Sequence, residues 1–120
     1  MRLLIKKRLG NQNEILEEAF LGRVFRLGSA TDQDLQVDDI SVPLSCCEFT
    51  FEGKGLSLKV LEGARVFVNN KLSRGAALKS GDVIHVGACW LEVLDAVDSY
   101  DAVLRFFTDR RNQQASKIQQ

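Results

Sequence analysis

The residues best suited to chemistry in this chain are its three cysteines and its single histidine. Cys46 and Cys47 are adjacent, and Cys89 lies four residues after His85. Such groups could bind zinc, or the histidine could act as the base for a cysteine nucleophile. Neighbouring strand residues point to opposite faces, so only one of the adjacent cysteines could join His85 and Cys89. We therefore interpret the pair as strand residues, one turned inward and one outward. A thiol or metal site at Cys46, Cys47 and Cys89 is the alternative.

Other signs of catalysis are weak. His85 alternates with Ile84 and Val86 in the segment VIHVG, which places its side chain toward solvent or a strand edge. Ser29, Ser45 and the carboxylates have no spacing typical of a nucleophile, base and acid. The glycines form neither of the phosphate-binding patterns G-x-G-x-x-G and G-x-x-x-x-G-K. The sequence thus predicts no catalytic residues, no metal and no cofactor.

Composition limits the partners. The 120 residues fit one domain, with 45% hydrophobic and 27% charged residues. Sixteen basic residues balance sixteen acidic ones, so no overall field attracts nucleic acid or an anionic membrane. No apolar run within residues 1–120 is long enough to cross a bilayer. An odd number of cysteines, two of them adjacent, favours a reducing cytoplasmic location. We expect a protein partner or self-association, with neither nucleic acid nor a small-molecule substrate bound.

Hydrophobic alternation with period two recurs almost to residue 95, interrupted by short turn segments. It indicates ten to eleven short strands in an antiparallel β-sandwich over residues 1–95. The pattern then changes. Asp98 or Ser99 could cap a helix in which Val103, Leu104, Phe106 and Phe107 have helical spacing. Residues 96–120 are therefore predicted to form a short C-terminal helix followed by a polar tail or linker.

Charge is uneven along the chain. Residues 27–53 contain six acids and no lysine or arginine, whereas residues 63–81 contain four basic residues and no acid. The two segments are either separate solvated faces or complementary surfaces for head-to-tail association.

The order of turns and strands is similar to a known family. The segments FRLGSATDQDLQVDD, VPLSCCEF and VFVNNKLSRGAALKSGDVIHVG resemble the forkhead-associated (FHA) domain between about Phe25 and Leu94. Leu27-Gly28 matches the family's Ile-Gly opening, and Asp34 begins its Asp-Ile-x-Leu strand. Leu78-x-x-Gly81-Asp82-Val83-Ile84 matches its last turn and strand. The resemblance implies an FHA-like β-sandwich that contacts other proteins.

The residues with which this family reads phosphate are replaced in this chain. Ser29 stands where the family has arginine after the glycine, and Pro43 and Leu44 stand where it has a phosphate-contacting serine and arginine. Cys46 replaces its histidine. Proline has no donor and leucine no charge, although a phosphothreonine dianion needs charge-assisted donors.

These substitutions resemble divergent FHA domains that do not bind phosphopeptides, such as the cytoplasmic domains of inner-membrane ring proteins in type III secretion. The resemblance implies a non-catalytic assembly module of a bacterial membrane-anchored protein, on the cytoplasmic side of the inner membrane. A membrane span beyond residue 120 would follow. An alternative is a phosphothreonine reader with a relocated site that uses Ser29, Ser45, Arg65 and Asn69. The predicted interaction surface consists of Ser29, Asp38, Asp39, Pro43, Leu44, Ser45, Arg65 and Asn69.

Overall fold

The alternating segments form β-strands throughout the computed structural model, which describes residues 1–8 and 15–108. Twelve strands are present in these ranges, and no helix. The predicted all-β sandwich is confirmed, with slightly more strands than the ten or eleven expected. The strands are β1 (Arg2–Arg8), β2 (Leu16–Leu21), β3 (Phe25–Gly28), β4 (Leu35–Gln36), β5 (Cys47–Glu52), β6 (Gly55–Val60), β7 (Val66–Val68), β8 (Lys71–Ser73), β9 (Gly75–Leu78), β10 (Val83–Val86), β11 (Cys89–Leu94) and β12 (Ala102–Thr108).

The strands form two sheets. The seven-stranded sheet has the order β2-β1-β12-β11-β10-β7-β8, and the five-stranded sheet has the order β4-β3-β5-β6-β9. Most neighbours are antiparallel, but β12 runs parallel to β1 and β4 runs parallel to β3. No helix in the described ranges is long and apolar enough to cross a bilayer.

Alternate side chains of both sheets fill the space between them. In β5, Cys47 and Phe49 point inward and are fully buried, whereas Glu48 between them is only half-buried. In β10, Ile84 and Val86 are buried in the same way. Burying one large apolar side chain stabilises the fold by about 1.5 to 3 kcal/mol. Because one face of each strand is buried in this way, only the outward-facing side chains and the loops remain available for contact with other molecules.

The C-terminal segment differs from the prediction. Residues 102–108 form strand β12 rather than a helix, and residues 109–120 of the predicted helix and tail lie outside the described residues. The apolar residues of this short segment fit either period, so pattern alone could not decide. Strand pairing determines the structure of this segment, because β12 forms backbone hydrogen bonds to β1 on one side and to β11 on the other. The predicted caps Asp98 and Ser99 lie in a turn before β12, and the next acid, Asp101, accepts a hydrogen bond from the Arg2 amide at 2.7 Å.

A buried carboxylate holds the turns at one end of the seven-stranded sheet. Asn69 and Asn70, which connect β7 to β8, have φ of 51° and 71°, a conformation that asparagine tolerates better than most residues. Asp82, only 6% exposed, accepts hydrogen bonds from Asn69 Nδ2 at 3.0 Å and from the Lys79 amide at 2.9 Å. Burial alone would raise the pKa of Asp82, but the Asn69 and Lys79 contacts lower it overall. This carboxylate joins the β7–β8 and β9–β10 turns.

Candidate protein-interaction site

A shallow groove lies at the end of the sandwich where β3 meets the loops on either side of β4. Five of the eight predicted surface residues line it, together with two further apolar residues. The lining residues are Ser29, Asp38, Asp39, Ile40, Val42, Pro43 and Leu44.

The floor of the groove is held by close backbone contact between β3 and residues 43–45. The Ser29 amide donates to Pro43 O at 3.0 Å, and the Ala30 amide donates to Leu44 O at 3.2 Å. A Cβ atom on Gly28 would lie only 2.1 Å from Leu44 O, so the close approach requires glycine. The contact also engages both of these amides in backbone hydrogen bonds.

Asp39 has a structural role in the groove. Its carboxylate accepts hydrogen bonds from the Ser41 amide at 2.9 Å, the Ser41 hydroxyl at 2.7 Å and the Ala88 amide at 2.8 Å. The hydrogen bonds from Ser41, followed by the one from Ala88, lower the pKa of Asp39. The side chain thereby ties the loop before β5 to the β10–β11 turn of the other sheet. The neighbouring Asp38, in contrast, is exposed.

The rim of the groove is apolar and acidic. Ile40 is fully exposed, at 105% of its reference area, and Leu44 is 70% exposed. Asp38, Ile40 and Leu44 form what we call the groove rim. None of the described lining residues is a lysine or an arginine. An exposed apolar side chain beside a carboxylate fits a partner surface better than it fits a phosphate group.

The other three predicted surface residues lie outside the groove lining. Ser45 is exposed next to Leu44. The exposed Arg65 places its guanidinium over the Phe67 ring, 5.7 Å from the centroid. Asn69 is at the opposite end of β7 from Arg65, and its side chain bonds to Asp82 and to the Val83 amide. The structure therefore does not bring Asn69 together with the groove.

The cysteines are all buried, so the prediction that one of the adjacent pair faces outward is wrong. Cys46 precedes β5, where strand alternation does not apply, and its amide donates to Leu27 O at 3.0 Å. The hydrogen bond with Cys46, followed by burial, raises the pKa of the Cys47 thiol, and burial raises the pKa of Cys89 to about 12. Neutral buried thiols pack as small apolar groups. Within residues 1–8 and 15–108, no group of three or more histidine, cysteine or acidic side chains is placed to hold a metal.

Two groove residues, Val42 and Ile40, were not among those predicted from the sequence; Val42 is buried, and the exposed one is Ile40. It stands alone among polar loop residues, in the run Asp38-Asp39-Ile40-Ser41, and such a residue is ordinarily assigned to the core. Its isolation from any alternating strand was the available signal.

The two sheets packed face to face define the class of the protein as a β-sandwich domain. The family model described as the FHA domain matches residues 25–87, which is more than half of the 120 residues. The chain therefore belongs to the FHA domain family, whose members are protein–protein interaction modules. No curated protein sequence matches the chain.

Solved structures are similar in fold. A domain from a study of phosphothreonine-dependent FHA domain interactions is 19% identical with a TM-score of 0.63, over 81% of this chain and 96% of that one. The FHA domain of the CT664 protein from Chlamydia trachomatis is 18% identical with a TM-score of 0.60, over 71% and 89%. The FHA-2 domain of a Mycobacterium tuberculosis ABC transporter is 22% identical with a TM-score of 0.57, over 65% and 73%. These similarities show the fold.

Proposed function

We propose that this domain docks a protein partner in its groove without using a phosphate group. The observation that carries the proposal is the groove rim, where Ile40 and Leu44 are exposed beside Asp38. Apolar side chains exposed at a conformationally fixed edge are typical of interaction surfaces. The neighbouring carboxylate would set specificity and association rate more than affinity.

The groups around the groove also argue against a phosphate dianion. Pro43 has no amide hydrogen, and the amides of Ser29 and Ala30 already donate to Pro43 O and Leu44 O. Asp39 is an acceptor that carries negative charge into the groove lining. Bringing a dianion there would cost desolvation and repulsion, and the groove lining contains no lysine or arginine to offset them. The substitution of donors by Pro43 and Leu44 supports docking of an unphosphorylated segment.

A cellular setting follows from the likeness to divergent FHA domains noted above. The proposed role is that of a cytoplasmic assembly module in a bacterial membrane-anchored protein, similar to the ring proteins of type III secretion. In such a role the domain brings together components that share the same membrane. A small apolar groove with acidic edges suits contacts that must form and release during assembly.

A display experiment tests the docking site. Peptides selected from a random unphosphorylated library should bind the domain, and Ile40→Asp or Leu44→Asp should weaken that binding by about tenfold or more, since either change places a charge in an apolar contact. Binding is measured by fluorescence anisotropy of the labelled peptides.

The matched control is Glu52→Lys. Glu52 is exposed and ends β5 at the opposite side of the sandwich from the groove, so the affinity should not change. The docking proposal is wrong if no selected peptide depends on Ile40 or Leu44, or if Glu52→Lys weakens binding equally.

A further inference from the structure

A row of aromatic side chains crosses the outer face of the seven-stranded sheet. Strand register places Phe67 of β7, His85 of β10, Trp90 of β11 and Phe107 of β12 directly opposite one another in turn. The ring centroids of His85 and Trp90 are 4.5 Å apart, and those of Trp90 and Phe107 are 5.9 Å apart. All four side chains are half-buried on the face opposite the core.

The ring faces in this row are occupied by neighbouring groups. Trp90 is stacked between His85 and Phe107, with interplanar angles of 7° and 14°. Arg65 lies over Phe67 at one end, and Arg105 lies 5.1 Å from the Phe107 centroid at the other. A ligand therefore meets ring edges, which carry partial positive charge. This arrangement disfavours base stacking and favours contact with apolar groups and acidic oxygens.

A basic cavity adjoins the Phe107 end of the row. Its volume is about 110 Å³, and it is lined by Lys6, Arg8, Ile15, Arg105 and Phe107. Lys6 lies directly opposite Arg105 of β12 on one side and Glu17 of β2 on the other, so this outer face alternates in charge. Glu92 forms an ion pair with Arg105, but the cavity lining itself contains three cations, Lys6, Arg8 and Arg105, and no acid. A cavity of this size and charge suits a single carboxylate.

We propose that this aromatic-cation face, comprising the row and the basic cavity, binds the groove rim of a second copy of the chain. The proposal deepens the proposed function, because it names a partner for the same rim. The Asp38 carboxylate would enter the cavity lined by Lys6, Arg8 and Arg105. Ile40 of the same copy would lie against the ring edges of the row.

Charge complementarity within one chain selects a second copy as the occupant. The rim offers an exposed acid and an exposed apolar residue two positions apart, which is what the cavity and the row can receive. The chain's own residues 109–120 carry Arg110, Arg111 and Lys117 against the single acid Asp109, so their charge does not match the cavity. When two copies join through two different surfaces, one copy still has a free groove rim and the other a free aromatic-cation face. Further copies can therefore add head to tail.

Trp90 provides a built-in reporter, because it is the only tryptophan in the chain and lies within the row. A receiver protein retains Trp90 but carries Asp38→Lys and Ile40→Asp, so that it cannot donate a rim. A donor protein carries Trp90→Phe and an intact rim. Titration of donor into receiver should shift the Trp90 emission to shorter wavelength in a saturable way, because the rim excludes water from the ring edges.

Four further variants, three donors and one receiver, define the outcome. A donor with Asp38→Lys and Ile40→Asp should bind about tenfold or more weakly, whereas a donor with Glu52→Lys should bind normally. A receiver with an additional Arg8→Glu should no longer bind the intact donor. The same receiver should bind a donor that carries only Asp38→Lys with part of the original affinity. Thermal unfolding checks that each variant folds.

An unchanged Trp90 emission, or a shift that persists with the rim-altered donor, would overturn this inference. Neither result would contradict the proposed docking of peptides in the groove. That function is tested separately by whether binding of the selected peptides depends on Ile40. Loss of that dependence with a saturable Trp90 shift would instead overturn the peptide-docking function and leave the contact between copies standing.

Discussion

Replacing Gly28 with alanine is expected to lower the free energy of unfolding by about 3 kcal/mol, an overpacking cost at the upper end of the usual range. The added methyl group would lie 2.1 Å from Leu44 O and 2.8 Å from the carbonyl carbon of Leu44. These are backbone atoms, so no side-chain rotation relieves the clash. Residues 43–45 would have to move away from β3, breaking the bonds from the Ser29 and Ala30 amides.

Chemical denaturation of the Gly28→Ala variant measures this effect. Gly55→Ala is the matched control, because a Cβ atom at Gly55 has no heavy atom within 4 Å and that residue also lies in a strand. We expect Gly55→Ala to leave stability within about 1 kcal/mol of the wild type. Equal stability of the two variants would contradict the close approach on which the groove is built.

Replacing Asp82 with alanine is expected to cost roughly 2 to 3 kcal/mol, because the Lys79 amide and Asn69 Nδ2 lose their buried acceptor. The exposed residue Glu62 supplies the control, since Glu62→Ala should change stability by less than about 0.5 kcal/mol. Thermal and urea unfolding compare the three proteins. A neutral Asp82→Ala change would show that the carboxylate does not join the two turns.

The same residue predicts a dependence on pH. The folded state lowers the pKa of Asp82 from 3.8, so its contribution is complete above that value and is lost as pH falls through the lower folded-state pKa. The stability difference between the wild type and Asp82→Asn should therefore shrink in strongly acidic solution. The pKa of Asp39 is also lowered in the folded state, so protonation of Asp39 in strongly acidic solution lowers the stability of the wild type further.

Much of the fold could be predicted because the strands are half-buried and alternate. Leu27-Gly28 and Gly81-Asp82 marked the ends of elements, and both lie where the family pattern placed them. The C-terminal strand could not be predicted in this way. Its apolar residues at 103, 104, 106 and 107 fit a helix, and only pairing with β1, about 100 residues earlier, decides for a strand.

The site was predictable in part, for a similar reason. Pro43 and Leu44 could be placed because they stand where the FHA family has its phosphate-contacting serine and arginine, and the structure puts them in the groove lining. Ile40 could not be placed in this way, because an isolated apolar residue in a loop is ordinarily assigned to the core. The aromatic row could not be predicted from the alternation around Phe67 and Trp90 alone. It depends on the register between strands that are distant in sequence.

In the proposed function, the groove receives a protein segment without phosphate. Amide nuclear magnetic resonance during titration with matched pools of phosphothreonine and unphosphorylated threonine peptides tests it most directly. We predict that the Ser29 and Ala30 signals do not respond to the phosphate, because both amides already donate to the Pro43 and Leu44 carbonyls. Saturable shifts of these signals with the phosphorylated pool alone, abolished in Arg65→Ala, would contradict the claim and establish a phosphothreonine reader.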